Sequence, residues 1–75
     1  MKLTPIASNQ NVVTVNNGTE VFFSYSTPVA AFVPSRGYLR TEVKYSVTTS
    51  RHINKWVGEA NCETITQDEI NNLVD

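Results

Sequence analysis

With 75 residues, 40% hydrophobic and 17% charged, the chain is expected to form a single domain over 1–75 with one thin core, and it is too apolar for intrinsic disorder. Six Lys and Arg against seven Asp and Glu, a formal net charge of −1, exclude a generally basic nucleic-acid binder and leave room only for a local basic patch. One cysteine and one histidine exclude an intrachain disulfide and the multi-cysteine zinc schemes, so no metal or cofactor is expected, and no stretch approaches the roughly 18–20 apolar residues that cross a bilayer.

Strands come first along the chain. Val12 to Asn16 is rich in β-branched residues, and Asn17-Gly18 accepts the positive φ angles of a tight hairpin turn. The second strand of that hairpin runs from Thr19 to Ser26, with Val21, Phe23 and Tyr25 on one face and Phe22, Ser24 and Ser26 on the other. Aromatic residues on both faces predict a central strand. Thr27-Pro28 interrupts it with a bend or bulge, because proline cannot donate a ladder hydrogen bond, and Val29 to Val33 resumes the strand pattern. Pro34-Ser35-Arg36-Gly37 has the residues of a turn and leads into Tyr38 to Tyr45. There Leu39, Thr41, Val43 and Tyr45 alternate with Tyr38, Arg40, Glu42 and Lys44, which predicts one core face and one face toward solvent or a partner. Whether the first eight residues add another strand is left open by their pattern.

Helices follow. Thr48, Thr49 and Ser50 are candidate N-caps, Ile53, Trp56 and Val57 form an inward stripe, and Gly58 suits the C′ position. Glu59 to Ile65 reads as a connector or a short edge strand. Thr66-Gln67-Asp68-Glu69 matches a capping box, Ile65 and Ile70 its hydrophobic staple, and Ile70, Leu73 and Val74 the inward stripe of a last helix. The expected class is α+β: a small antiparallel sheet of three to five strands, covered on one face by one or two short C-terminal helices. Trp56, Ile53, Phe23, Val43 and Leu73 are the expected core.

The main candidate site is Ser50, Arg51, His52 and Lys55. A hydroxyl, a guanidinium and an imidazole in the first turn of a helix lie where unpaired N–H groups favour phosphate or carboxylate. A cap and a solvated basic face account for the same residues more simply. A secondary surface is Arg36, Tyr38, Arg40 and Lys44. With Tyr25, Tyr45, Phe22 and Phe32 it could make an aromatic platform for bases, although an ordinary half-buried sheet face explains these residues more simply. Trp56 could likewise stack on a base, but its spacing with Ile53 and Val57 is that of a core residue. Ser50 or Cys62 could be paired with His52 on paper, yet no nucleophile elbow or oxyanion loop surrounds either one, and the carboxylates lack metal-ligand spacing. No catalytic set is expected, and so no enzyme.

The segments Ala7-Ser8-Asn9, FSYSTPVA at 23–30 and YSVTTSRHINKW at 45–56 resemble a family of small proteins encoded by tailed bacteriophages and their metagenomic relatives. The resemblance implies a phage or prophage origin and action in the cytoplasm of the infected bacterial host, and it brings no catalytic residues with it. The absence of an apolar leader in Met1 to Pro5, and of a disulfide to brace a secreted domain, points the same way. Two function classes follow. The first is an accessory protein that binds a host or phage protein, or a second copy of itself, without catalysis. The second is a nucleic-acid or nucleotide-phosphate module, which requires Arg36, Arg40, Lys44, Arg51 and Lys55 to converge. A membrane partner is not expected.

Overall fold

The computed structural model describes residues 2–7, 9–15, 18–58 and 61–74. Strands β1 (Lys2–Ala7), β2 (Gln10–Thr14), β3 (Glu20–Ser24), β4 (Thr27–Val33) and β5 (Gly37–Thr41) are followed by α1 (Val47–Val57), β6 (Cys62–Ile65) and α2 (Gln67–Asn72). The strands form one sheet in chain order, antiparallel throughout except for the parallel β5–β6 pair. The class is therefore α+β, with a mixed six-stranded sheet in place of the expected three to five antiparallel strands. The addition is β1, which pairs with β2; β6 is the short edge strand that Glu59 to Ile65 allowed, but it reaches β5 through the α1 crossover and so runs parallel to it.

The helices lie on opposite faces, which corrects the expected single covered face. Ile53, Trp56 and Val57 of α1 pack with Val12, Phe22, Val29 and Ala30. Ile70, Leu73 and Val74 at α2 pack with Val21, Ala31, Leu39 and Ile65. Alternation along β3 sends Phe22 to one helix and Val21 to the other, and both are fully buried. As expected, β3 is an interior strand.

Of the three hairpin turns after β2, two follow the sequence and the third corrects it: the strand expected over Thr19 to Ser26 ends at Ser24, the chain reverses through Tyr25 (φ 59°) and Ser26, and Thr27 and Pro28 pair with Ser24 and Phe23 as the start of β4. The first hairpin is closed by Val15 N–H on the Thr19 carbonyl at 2.9 Å, with Gly18 at φ 83°; Asn16 and Asn17 lie outside the described residues, as do Glu59 and Ala60 of the later connector. The register shifts from Phe22–Ala30 to Phe23–Pro28, which leaves Val29 as the extra residue of a bulge at the expected place. At the Pro34–Gly37 turn, Arg36 N–H bonds the Val33 carbonyl at 2.8 Å and Gly37 takes φ 88°.

Beyond Thr41 the expected strand stops. The Thr41 hydroxyl accepts the Val43 N–H at 3.1 Å, a local turn that competes with the ladder. Val43 and Tyr45 are consequently 41% and 46% exposed, which removes Val43 from the expected core. Ile53 is buried, while Phe23, Trp56 and Leu73 are half-buried at the cluster margins.

Both free edges of the sheet are blunted. Because Val15 and Thr19 form a hydrogen-bonded pair, the β2 groups facing β1 are those of Val12 and Thr14, whose partners are Thr4 and Lys2. Pro5 therefore turns its nitrogen, which carries no hydrogen, to the outside. The opposite edge, β6, is four residues long, too short to template an added strand.

Candidate functional site

The C-terminal end of β5, the loop 42–46 and the first half of α1 enclose a groove of about 450 Å³, lined by Arg40, Lys44, Tyr45, Ser50, Cys62 and Thr64 among others. It sits where the chain leaves β5 for the crossover helix, a position at which strand ends and a helix start leave space between them. The helix starts earlier than the Thr48–Ser50 caps predict. Ser46, extended at φ −158°, caps α1 by accepting the Thr49 N–H on Oγ at 3.1 Å, while its carbonyl accepts the Ser50 N–H at 3.0 Å. Ser50, Arg51 and His52 thus occupy the second turn, beyond the unpaired N–H groups, and the first-turn anion geometry expected for them does not form. Burial selects this start, because Thr49 lies one turn before Ile53 and both are buried. Ser46→Ala is expected to destabilise the fold by about 1 kcal/mol, measured as a shift in the urea midpoint, because it removes the cap.

Sequence reasoning missed the pairing of Ser24 with His52. Ser24 Oγ lies 2.8 Å from His52 Nδ1 and 3.4 Å from Thr49 Oγ1, which in turn is 3.2 Å from Ser46 Oγ. His52 is accordingly half-buried, not a surface residue, and the Tyr25 ring lies 6.0 Å from it. Either imidazole tautomer satisfies the chain of bonds: Ser24 donates to bare Nδ1, or accepts from Nδ1–H and donates to Thr49. With Ser24 only 1% exposed, no substrate reaches its hydroxyl, and the contact fastens α1 to β3. Alternation had placed Ser24 on the Phe22 face; only the position of α1 reveals its partner.

Cys62 lies on β6, three strands from β3 in the sheet order, whereas His52 is bonded to Ser24 on β3. Burial pushes the Cys62 thiol up, and the Arg40 guanidinium offsets part of that rise. Thiolate is therefore scarce near neutral pH, the opposite of an activated nucleophile. Among the described residues, no three His, Cys, Asp or Glu side chains come together in a metal-binding group, and no helix is long and apolar enough to cross a membrane.

The basic residues do not gather in one place. Arg36 is paired with Glu63 at 2.9 Å, and Arg40 Nη1 donates to Asn54 Oδ1 at 3.1 Å. Lys44 lines the groove with Arg40 and Ser50. Lys55 instead lines a smaller hollow of about 250 Å³ with Ile6, Gln10 and Trp56, and Arg51 is exposed on α1. Of the aromatics expected as a platform, Tyr25 and Tyr45 are exposed, whereas Phe22, Phe32 and Tyr38 are engaged with one another or with Trp56. Phe22 stacks on Trp56 at 5.1 Å, Trp56 meets the edge of Tyr38 at 5.5 Å, and Tyr38 tilts against Phe32 at 4.9 Å. Rings engaged with one another have less face to offer a base, and dispersed cations gain less phosphate affinity.

Along the groove, Val43 and Tyr45 form an apolar rim, 41% and 46% exposed, with Lys44 and Arg40 also in the lining, and Val47, 70% exposed, continues this run in the chain at the start of α1. Exposed aliphatic and aromatic side chains flanked by cations suit a protein surface better than a small polar ligand.

A family model described as a family of unknown function (DUF8033) matches residues 1–72. No curated protein and no solved structure matches the chain.

Proposed function

The chain belongs to a family of unknown function (DUF8033), and for it we propose a role as a small non-catalytic binding protein that engages a protein partner through the 43–47 rim and the groove beneath it. The observation that carries this reading is the run Val43, Tyr45 and Val47, three large apolar side chains exposed within five residues. Water gains nothing from such a run, and a partner that covers it recovers the burial energy. Tyr45 supplies the kind of rigid amphipathic ring that dominates interfaces, and Lys44 and Arg40 provide polar contacts around it. The phage origin implied by the sequence resemblance is part of the same proposal and would place the partner in the cytoplasm of an infected bacterium. Phosphate or nucleic-acid binding through Ser50, Arg51, His52 and Lys55 has less support, because these residues follow the helix start and the cations are dispersed.

Affinity capture from bacterial lysate with the tagged chain tests this, with and without nuclease and at low and high salt. A protein retained after nuclease and weakened about tenfold or more by Tyr45→Ala is the expected result. Recovery of nucleic acid alone, or of a protein indifferent to Tyr45→Ala, would overturn it.

A further inference from the structure

Among the described residues, the charges carried by α1 and its approach and those carried by α2 differ in sign. Residues 40–58 carry Arg40, Lys44, Arg51 and Lys55 with Glu42 as their only acid, whereas residues 61–74 carry Glu63, Asp68 and Glu69 with no Lys or Arg, Glu63 being paired with Arg36. The first stretch leads into and forms α1, and the second contains α2, on the other side of the sheet. Lys44 and Arg51 are exposed on one side, and Asp68 and Glu69 on the other. Each charged face also carries uncovered apolar residues. Beside α1 these are Val43, Tyr45 and Val47. On the α2 face, α2 lies over β4 and β5, and the register carries that face outward from Val21 through half-buried Val13 to Leu3, which is 61% exposed.

We propose that the partner seated on the 43–47 rim and groove is a second copy of this chain, which presents its acidic α2 face head to tail. This rests on the binding reading above and names its occupant. The two faces match in both respects: Lys44 and Arg51 meet Asp68 and Glu69, and the Val43–Tyr45–Val47 run meets the open strip at Leu3 and Val13. A two-fold dimer does not satisfy this match. Joining two α1 faces sets Lys44 and Arg51 against their own copies, and joining two α2 faces does the same for the carboxylates. Because the faces lie on opposite sides of one sheet, a single neighbour cannot cover both. The contact is therefore heterologous, and its repetition gives a ring or an open filament.

Sedimentation velocity of the purified full chain over a concentration series tests the proposal. Concentration-dependent association at low salt, weakened about tenfold or more at roughly 0.5 M salt, is expected. Lys44→Glu with Arg51→Glu removes the basic face, and Asp68→Asn with Glu69→Gln removes the acidic one while keeping a side chain that can close the capping box. Each double variant alone should be monomeric with an unchanged circular dichroism spectrum. An equimolar mixture should form a 1:1 dimer and nothing larger, since each copy retains one complementary face. A wild-type chain that stays monomeric at every concentration, or a mixture that stays inert, overturns the proposal. Should the acidic-face variant fail to fold, the basic-face variant and the salt series decide in its place, and association that ignores both also overturns the proposal. A monomer that still captures a Tyr45-dependent protein from lysate leaves the binding reading standing and excludes only the second copy as its occupant.

Discussion

Phe22→Ala is expected to cost about 3–5 kcal/mol, the range for deleting a buried aromatic side chain. A 75-residue chain has roughly 4–11 kcal/mol of total stability at the usual per-residue values, so this one change leaves the fold marginal or lost. Phe22 is fully buried on an interior strand, sits in the cluster that holds Ile53 of α1, and stacks at 5.1 Å and 12° on the Trp56 ring. Truncation opens a cavity in a core too small to relax around it, and it removes the ring that positions Trp56, which in turn touches Tyr38. The urea midpoint and the near-ultraviolet signal of Trp56 measure the effect, with Phe22→Leu as the milder control, expected to cost under about 1.5 kcal/mol. A loss below about 1 kcal/mol for Phe22→Ala would mean that α1 is held by contacts other than this stack. The binding surface depends on the outcome, because the 43–47 rim is fixed by β5 on one side and by α1 on the other.

Much of this was legible from local pattern. The Gly18 turn, the bulge after Pro28, the Pro34–Gly37 hairpin, Gly58 at the end of α1 and the Thr66–Glu69 capping box are short-range features whose residue types carry their own physics. The structure keeps each of them, with Gly58 at φ 70° and Thr66 Oγ1 accepting the Glu69 N–H at 3.2 Å. Long-range features were not legible. In β1 the described side chains are exposed on both faces, so no alternation marks it, and Thr4-Pro5 argues locally against a strand. β6 has only four residues, and its parallel partner is set by the path of α1. The helix stripes were read correctly, yet a stripe does not say which side of a sheet it will meet. That side is decided by the crossover from β5 to β6 and by alternation along β3, where Val21 and Phe22 are both large and apolar and either face would accept a helix.

The candidate site divides along the same line. Arg40 and Lys44 were expected on one strand face, and they do share the groove, although the strand ends at Thr41. Ser50 joins them there, whereas Lys55 lines the other hollow and His52 turns inward to Ser24. A polar residue on a buried stripe was the available signal for His52 and Thr49: both flank Ile53 on the same helix, and a buried polar group needs a partner across the interface. Finding Ser24 as that partner requires the packing of α1 on β3, which no spacing within either segment encodes.

Ile70→Ala is expected to cost about 2–4 kcal/mol, and to do so locally, which separates the two faces of the molecule. Ile70 is the one fully buried residue of α2, inserted among Val21, Ala31, Leu39 and Ile65. A helix of six residues has no stability of its own, so without this anchor the Thr66 cap and the Gln67 bond to the Pro28 carbonyl at 2.6 Å cannot hold it in place. Hydrogen exchange should then show lost protection in α2 and in β6, whose Ile65 belongs to the same cluster, while β2, β3 and α1 keep theirs through the Phe22 side. Uniform loss across the sheet would instead mean that the two clusters melt as one unit, as their shared strands allow. The same variant bears on function. The acidic face rides on α2, whereas the 43–47 rim is held by β5 and α1, so Ile70→Ala should weaken head-to-tail association severely and leave Tyr45-dependent capture of another protein near its original level. Equal loss of both would tie the rim to the integrity of α2, and the two faces could no longer be treated as independent surfaces.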